Sequence, residues 1–87
     1  MKLKKEYLSH HAMGSYMLIP TGDAEFQGIV RGNETFGLIT ECLSQDTSEA
    51  EITEKLLAAY DGVSREEAAR DVHEAIERLR GIGAIED

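Results

Sequence analysis

From Tyr16 to Ile19 four apolar residues run together, bounded by Met13-Gly14 before them and Pro20-Thr21-Gly22-Asp23 after them. Pro20 has no N–H to give to a ladder, so the run reads as a strand ending at the proline. Between Glu25 and Arg31 the residues alternate. Phe26, Gly28 and Val30 share one face, while Glu25, Gln27, Ile29 and Arg31 share the other, the period of a half-buried strand. A first strand around Glu6–His10 completes a three-stranded antiparallel meander, the β part spanning about residues 4–31.

After Gly32-Asn33 the period changes to that of helices, over about residues 33–87. Asn33 is a good cap, because its side-chain oxygen can accept an N–H left unpaired by the first turn. A first helix is expected from about Glu34 to Leu43, with Phe36, Ile39 and Leu43 at core spacing. The second opens on Ser48-Glu49-Ala50-Glu51, a capping box in which Ser48 and Glu51 satisfy each other's backbone N–H groups. It runs through Ile52, Leu56 and Tyr60 and stops at Asp61-Gly62. The third, Ser64–Ile82, opens on another capping box, Ser64-Arg65-Glu66-Glu67. Its stripe of Ala68, Ala69, Val72, Ala75, Ile76, Leu79 and Ile82 follows the i, i+3, i+4, i+7 rule. Gly83 stands where a C′ glycine ends a helix, and Ile85 is expected to fold back on the last turn. The fold class is therefore α+β: a three-stranded antiparallel β-meander followed by a three-helix, winged-helix-like bundle, in a single domain over residues 1–87.

Charge narrows the partners. The chain carries a formal net charge of -8, unevenly placed: residues 1–31 hold four Lys/Arg against three Asp/Glu, and the remaining residues hold five against fourteen. An acidic helical half repels a phosphate backbone, whose binding depends on Lys and Arg displacing counterions. The one cysteine rules out an internal disulfide framework and fits a reducing cytoplasm. The opening MKLKKEYLSHHAMG has no apolar core of a signal peptide, and no stretch is long enough to cross a bilayer.

Catalytic chemistry is hard to assemble from these residues. His10 and His11 are adjacent in a strand and point to opposite faces, poor geometry for one metal. Cys42 lies one turn after Leu38 and reads as a buried thiol with no base beside it. No glycine cluster is followed by Lys-Ser/Thr as in a phosphate loop. The carboxylates of the last two helices alternate with Lys55, Arg65, Arg70, Arg78 and Arg80 as a solvated face. No catalytic residue, metal or cofactor is expected. Two binding modes stay open. An edge strand can accept a further strand from an extended peptide; alternatively, the bundle is a winged-helix DNA-binding transcription regulator reading the major groove. Charge disfavours the second, since Glu66, Glu67, Asp71, Glu74 and Glu77 outnumber the third helix's arginines.

The run Asn33-Glu34-Thr35…Leu38-Ile39…Glu41-Cys42-Leu43, then Ser48…Glu51-Ile52, Leu56-Leu57, Tyr60-Asp61, Glu66-Glu67-Ala68, Asp71-Val72, Leu79 and Gly83-Ala84-Ile85-Glu86 resembles the PqqD family over about residues 28–87. The chain departs from the family pattern at Gly32, usually Leu, at Thr40, often a bulky aromatic, and at Gln45, frequently Gly. The resemblance implies a non-catalytic adaptor (a peptide chaperone) of ribosomally made, modified peptide pathways. Such a domain binds the leader segment of a precursor peptide as an added strand and presents it to a modifying enzyme, often a radical S-adenosylmethionine enzyme. Carried onto this chain, the leader lies beside the strand Phe26, Gln27, Gly28, Ile29, Val30 and Arg31, with its apolar side chains against the third helix. There Val72, Ile76 and Leu79 pack the core, and the flank Ala69, His73 and Arg80, together with Ile76 itself, is expected to meet the peptide. No nucleic acid and no membrane are expected as partners, and a monomer is favoured over a dimer.

Overall fold

A computed structural model describes residues 1–22, Ala24 and residues 28–87. Its elements are Lys2–Leu3 (β1), Tyr7–Ala12 (β2), Ser15–Pro20 (β3), Val30–Gly32 (β4), Glu34–Cys42 (α1), Glu49–Ala59 (α2), Arg65–Gly81 (α3) and Ile85–Glu86 (β5). Strands β2, β3 and β4 form an antiparallel sheet in that order, the expected meander. Met13 and Gly14 make the tight turn between β2 and β3, both with positive φ (52° and 77°), as in a type I′ turn, whose twist matches that of the strands it joins. Pro20 closes β3 opposite Tyr7, at a strand end where its missing N–H costs no ladder bond.

The first and third strands differ from expectation. The first begins one residue later and runs on to Ala12, because the hairpin register pairs every residue from Tyr7 to Ala12 with β3. The third covers only Val30–Gly32, in register with Leu18, Met17 and Tyr16. Gly28 and Ile29 precede it without strand structure, and Phe26 and Gln27 lie outside the described residues. Gly32, expected as the exit from the strand, is its last residue. A Cβ there would overlap the ring of Phe36, so the absence of a side chain lets the strand turn straight into α1.

The helices start at their expected caps. Asn33 Oδ1 accepts from Phe36 N at 3.0 Å, Ser48 Oγ from Glu51 N at 3.2 Å and Ser64 Oγ from Glu67 N at 3.1 Å. Glu51 turns outward to accept from the Thr47 hydroxyl. Helix α3 ends in a Schellman motif: Ala84 N donates to Leu79 O at 2.9 Å and Gly83 N to Arg80 O at 3.0 Å, with Gly83 at φ 76°. These bonds satisfy carbonyls that the helix end would otherwise leave without partners. Beyond the helix Ile85 is buried in the core against α3, as expected. It enters β5 and pairs with Leu3 of β1 in a second, two-stranded sheet.

The core lies between the inner sheet face and the three helices. Tyr7, Leu18 and Val30 come from the sheet, and Phe36, Ile39, Leu43, Ile52, Leu56, Val72, Ile76 and Leu79 from the helices. Each fully buried aliphatic side chain contributes roughly 1.5–3 kcal/mol against exposure. Thr40 is buried among them with its polarity satisfied, its hydroxyl donating to Gly37 O and meeting Ser9 Oγ. No described helix is long and apolar enough to cross a membrane.

Candidate functional site

Strand β4 is an edge of the sheet: β3 pairs one side of it, and no described residue pairs the other. Its middle residue, Arg31, sits opposite Met17. The Arg31 carbonyl accepts from Arg78 Nη2 of α3 at 3.3 Å. Along an antiparallel ladder, residues alternate between exchanging both bonds with their partner and turning both groups away. A carbonyl reached from α3 belongs to a residue of the second kind, so Arg31 directs its N–H and C=O to the open edge.

Helix α3 runs beside this edge and leaves a groove of about 300 Å³ between itself and the start of α1. From α1 and its cap the groove takes Asn33, Thr35, Phe36 and Ile39; from α3 it takes Asp71, Glu74, Ala75 and Arg78. Phe36 and Ile39 are core residues showing only an edge, so the floor is apolar. The Arg78 guanidinium lies over the Phe36 ring, 5.5 Å from its centroid, within range of a cation–π attraction.

The residues expected to meet a peptide are not gathered in one place. Val30 is buried in the core and Arg31 is exposed, while Gly28 and Ile29 are exposed ahead of the strand. Ile76 is wholly buried and offers nothing to a groove. Ala69 lines a different depression, shared with Glu49, Ala50 and Thr53 of α2. His73 Nδ1 is 3.1 Å from Glu49 of α2, and Arg80 pairs with Asp87. Ala69 and His73 thus lie on the flank of α3 that faces α2, and the flank toward β4 is Asp71, Glu74, Ala75 and Arg78. A helix has two flanks beside its core stripe, and periodicity alone does not say which one meets the sheet. Phe36 and Arg78 as neighbours had no local signal in the sequence either, since 42 positions separate them.

A larger cleft, about 930 Å³, lies on the other side of the molecule, between β1, β2 and the end of α1. It is the weaker candidate for strand addition, because several main-chain groups lining it are already bonded within the chain. Tyr7 N donates to Lys4 O, Leu3 N to Leu43 O and Lys4 N to Ala84 O. Neither site is lined by the cysteine. Cys42 is half-buried on α1, and burial pushes its thiol up, against the opposing pull of Lys55, which lowers the reactive thiolate fraction.

Sheet, three capped helices and an open strand edge beside α3 define a small α+β domain built around an accessible strand. Two solved structures share that fold. One, described as TbiB1 in complex with the TbiA(beta) leader peptide, superposes with a TM-score of 0.80 at 20% identity, over 99% of this chain and 95% of the other. The second, described as lasso peptide synthetase B1 complexed with the leader peptide, gives a TM-score of 0.74 at 23% identity, over 95% and 93%. No curated protein sequence matches the chain. The family model for coenzyme PQQ synthesis protein D (PqqD) matches residues 14–85. The chain belongs to the PqqD family.

Proposed function

We propose that this protein is a non-catalytic adaptor that binds the leader segment of a ribosomally made precursor peptide and presents it to a modifying enzyme. The observation that carries this reading is the open edge of β4, with Arg31 turned outward beside the groove of α3. An extended peptide added there gains main-chain hydrogen bonds of sequence-tolerant affinity, and its alternate side chains enter the groove for selectivity. Both structural neighbours are described as bound to leader peptides, which supports the same use of the fold here. The contact set proposed is Ile29–Gly32 on the strand side with Asp71, Glu74, Ala75 and Arg78 on the helix side. The family resemblance makes a radical S-adenosylmethionine enzyme the proposed partner, with the adaptor acting as a single-domain, cytoplasmic monomer.

The experiment is a titration of isotope-labelled protein with the leader peptide of a precursor encoded beside it, followed by amide NMR. Saturable shifts at residues 29–32 and 71–78, with the β2 edge unmoved, are expected. Shifts confined to the β1–β2 cleft would move the site, and saturable binding to duplex DNA in place of the peptide would overturn the function.

A further inference from the structure

The groove beside β4 is electrically polar along its length. Asp71 and Glu74 lie toward its α3 N-terminal side and Arg78 at the other end, with the apolar floor of Phe36 and Ile39 between α1 and α3. Among the other charges of α3, Glu66, Glu67 and Arg70 have no ion pair among the described residues, whereas the rest do. Arg65 is paired with Glu54, His73 with Glu49 and Glu77, and Arg80 with Asp87. Asp71, Glu74 and Arg78 have no ion-pair partner among the described residues.

The lack of a pair between Glu74 and Arg78 is informative, because an i, i+4 carboxylate and guanidinium are neighbours on a helix surface. Arg78 instead reaches over Phe36 to the carbonyl of Arg31, the acceptor that an added strand would use. A peptide N–H arriving at that carbonyl replaces the guanidinium there and leaves it on the Phe36 face, free to meet an anion.

The geometry points to a groove that selects its peptide by charge order: a carboxylate at the Arg78 end, a cation at the Asp71–Glu74 end, and an apolar side chain between them against Ala75. This rests on reading the groove as the peptide site. The spacing follows from the two periods. Asp71 and Arg78 are two helical turns apart, a rise of about 10 Å, whereas same-face residues of a strand recur about every 7 Å. Acid, apolar residue and base at alternate positions span two such steps, about 14 Å, and the long Arg78 side chain reaches across the remaining few ångströms.

The test is a selection of displayed random peptides on the intact protein, on Arg78→Glu and on Asp71→Lys. Both positions are exposed, and circular dichroism confirms that each variant is folded. Peptides enriched on the native protein are expected to carry an acid and a base on either side of an apolar residue at alternate positions. Arg78→Glu reverses the preference at the acid end only and Asp71→Lys at the base end only. Exchanging the two charges of one selected peptide weakens its binding about tenfold, the combined effect of two partly screened pairs. Enriched peptides without charge order, or an order that both variants leave unchanged, overturn the inference while leaving the peptide site in place. A selection that enriches no peptide overturns the peptide site itself and the charge order with it.

Discussion

The ring of Tyr16 from β3 fills the space where a side chain on Gly37 of α1 would stand, so strand and helix touch ring to backbone. On its other side the ring stacks on His11, with centroids 4.1 Å apart and planes 6° from parallel. A glycine inside a helix costs roughly 0.5–1 kcal/mol relative to alanine, and here it lets the Tyr16 ring lie against the α1 backbone. Gly37→Ala is therefore expected to destabilise the protein. The overlap with Tyr16 costs about 1–3 kcal/mol and outweighs the helix gain. A urea midpoint that rises in this variant contradicts the account, and Tyr16→Ala in the same background is expected to restore the helical benefit of alanine.

Met13 is the one described non-glycine residue with positive φ, and it is fully exposed at the hairpin tip. The first position of a type I′ turn favours Asn, Asp or Gly. Met13→Asn is expected to raise stability by roughly 0.5–1 kcal/mol, since the left-handed conformation strains most L-residues and no packing is lost. Thermal unfolding measures this directly; an unchanged midpoint shows that the turn tolerates methionine without strain.

The Arg65–Glu54 pair ties the start of α3 to α2 and sets an acid limb. Hydrogen bonding from Arg65, then its positive charge, holds the Glu54 carboxyl below the usual carboxylate range. A depressed acid contributes stability that is present above its unfolded value, about 4.3, and is lost as pH falls through the lower folded value. Both side chains are exposed, so the contribution is small and screened by salt. Arg65→Gln is expected to lower the urea midpoint slightly at neutral pH and to match the native protein once the carboxyl is protonated in both. A difference that persists unchanged at the acid end places the effect elsewhere, for instance at the α3 cap.

Strand addition at β4 makes a demand on one main-chain group. Arg31→Pro removes the outward N–H without removing a bond to β3, so the fold is expected to survive as edge strands tolerate proline. Leader-peptide affinity is expected to fall at least about tenfold, the equivalent of roughly one lost main-chain hydrogen bond. Arg31→Ala serves as the control for the lost charge. Equal affinities for the two variants, measured by calorimetry, argue against a peptide strand on this edge.

Residues carrying their own punctuation were legible in the sequence. Asn33, Ser48 and Ser64 each bond a backbone N–H within their own first turn, and Gly83 needs only its own positive φ, so a local pattern suffices to place them. The clasp of β1 and β5 is different in kind. Two-residue strands have no period to read, and Leu3 meets Ile85 only because the rest of the chain has folded between them. The candidate site divides in the same way. Its strand edge followed from the meander, but the choice between the two flanks of α3 depends on how the helix is rolled against the sheet. That roll is fixed by Val72, Ile76 and Leu79 together, and the sequence showed the stripe without showing what it faces.

The corner where β4 enters α1 carries a consequence for the history of such chains. Gly32 and Phe36 compete for one volume, so a large side chain at either position excludes a large one at the other. Relatives with leucine at the strand end are accordingly expected to carry a smaller residue one turn into the helix, and a lineage passing between the two arrangements must cross an overfilled or a hollow intermediate. Since Phe36 is also the surface beneath Arg78, that exchange of volume would rebuild the groove floor. Drift at a buried hinge would then change which peptides are recognised, with no substitution at a residue that touches them.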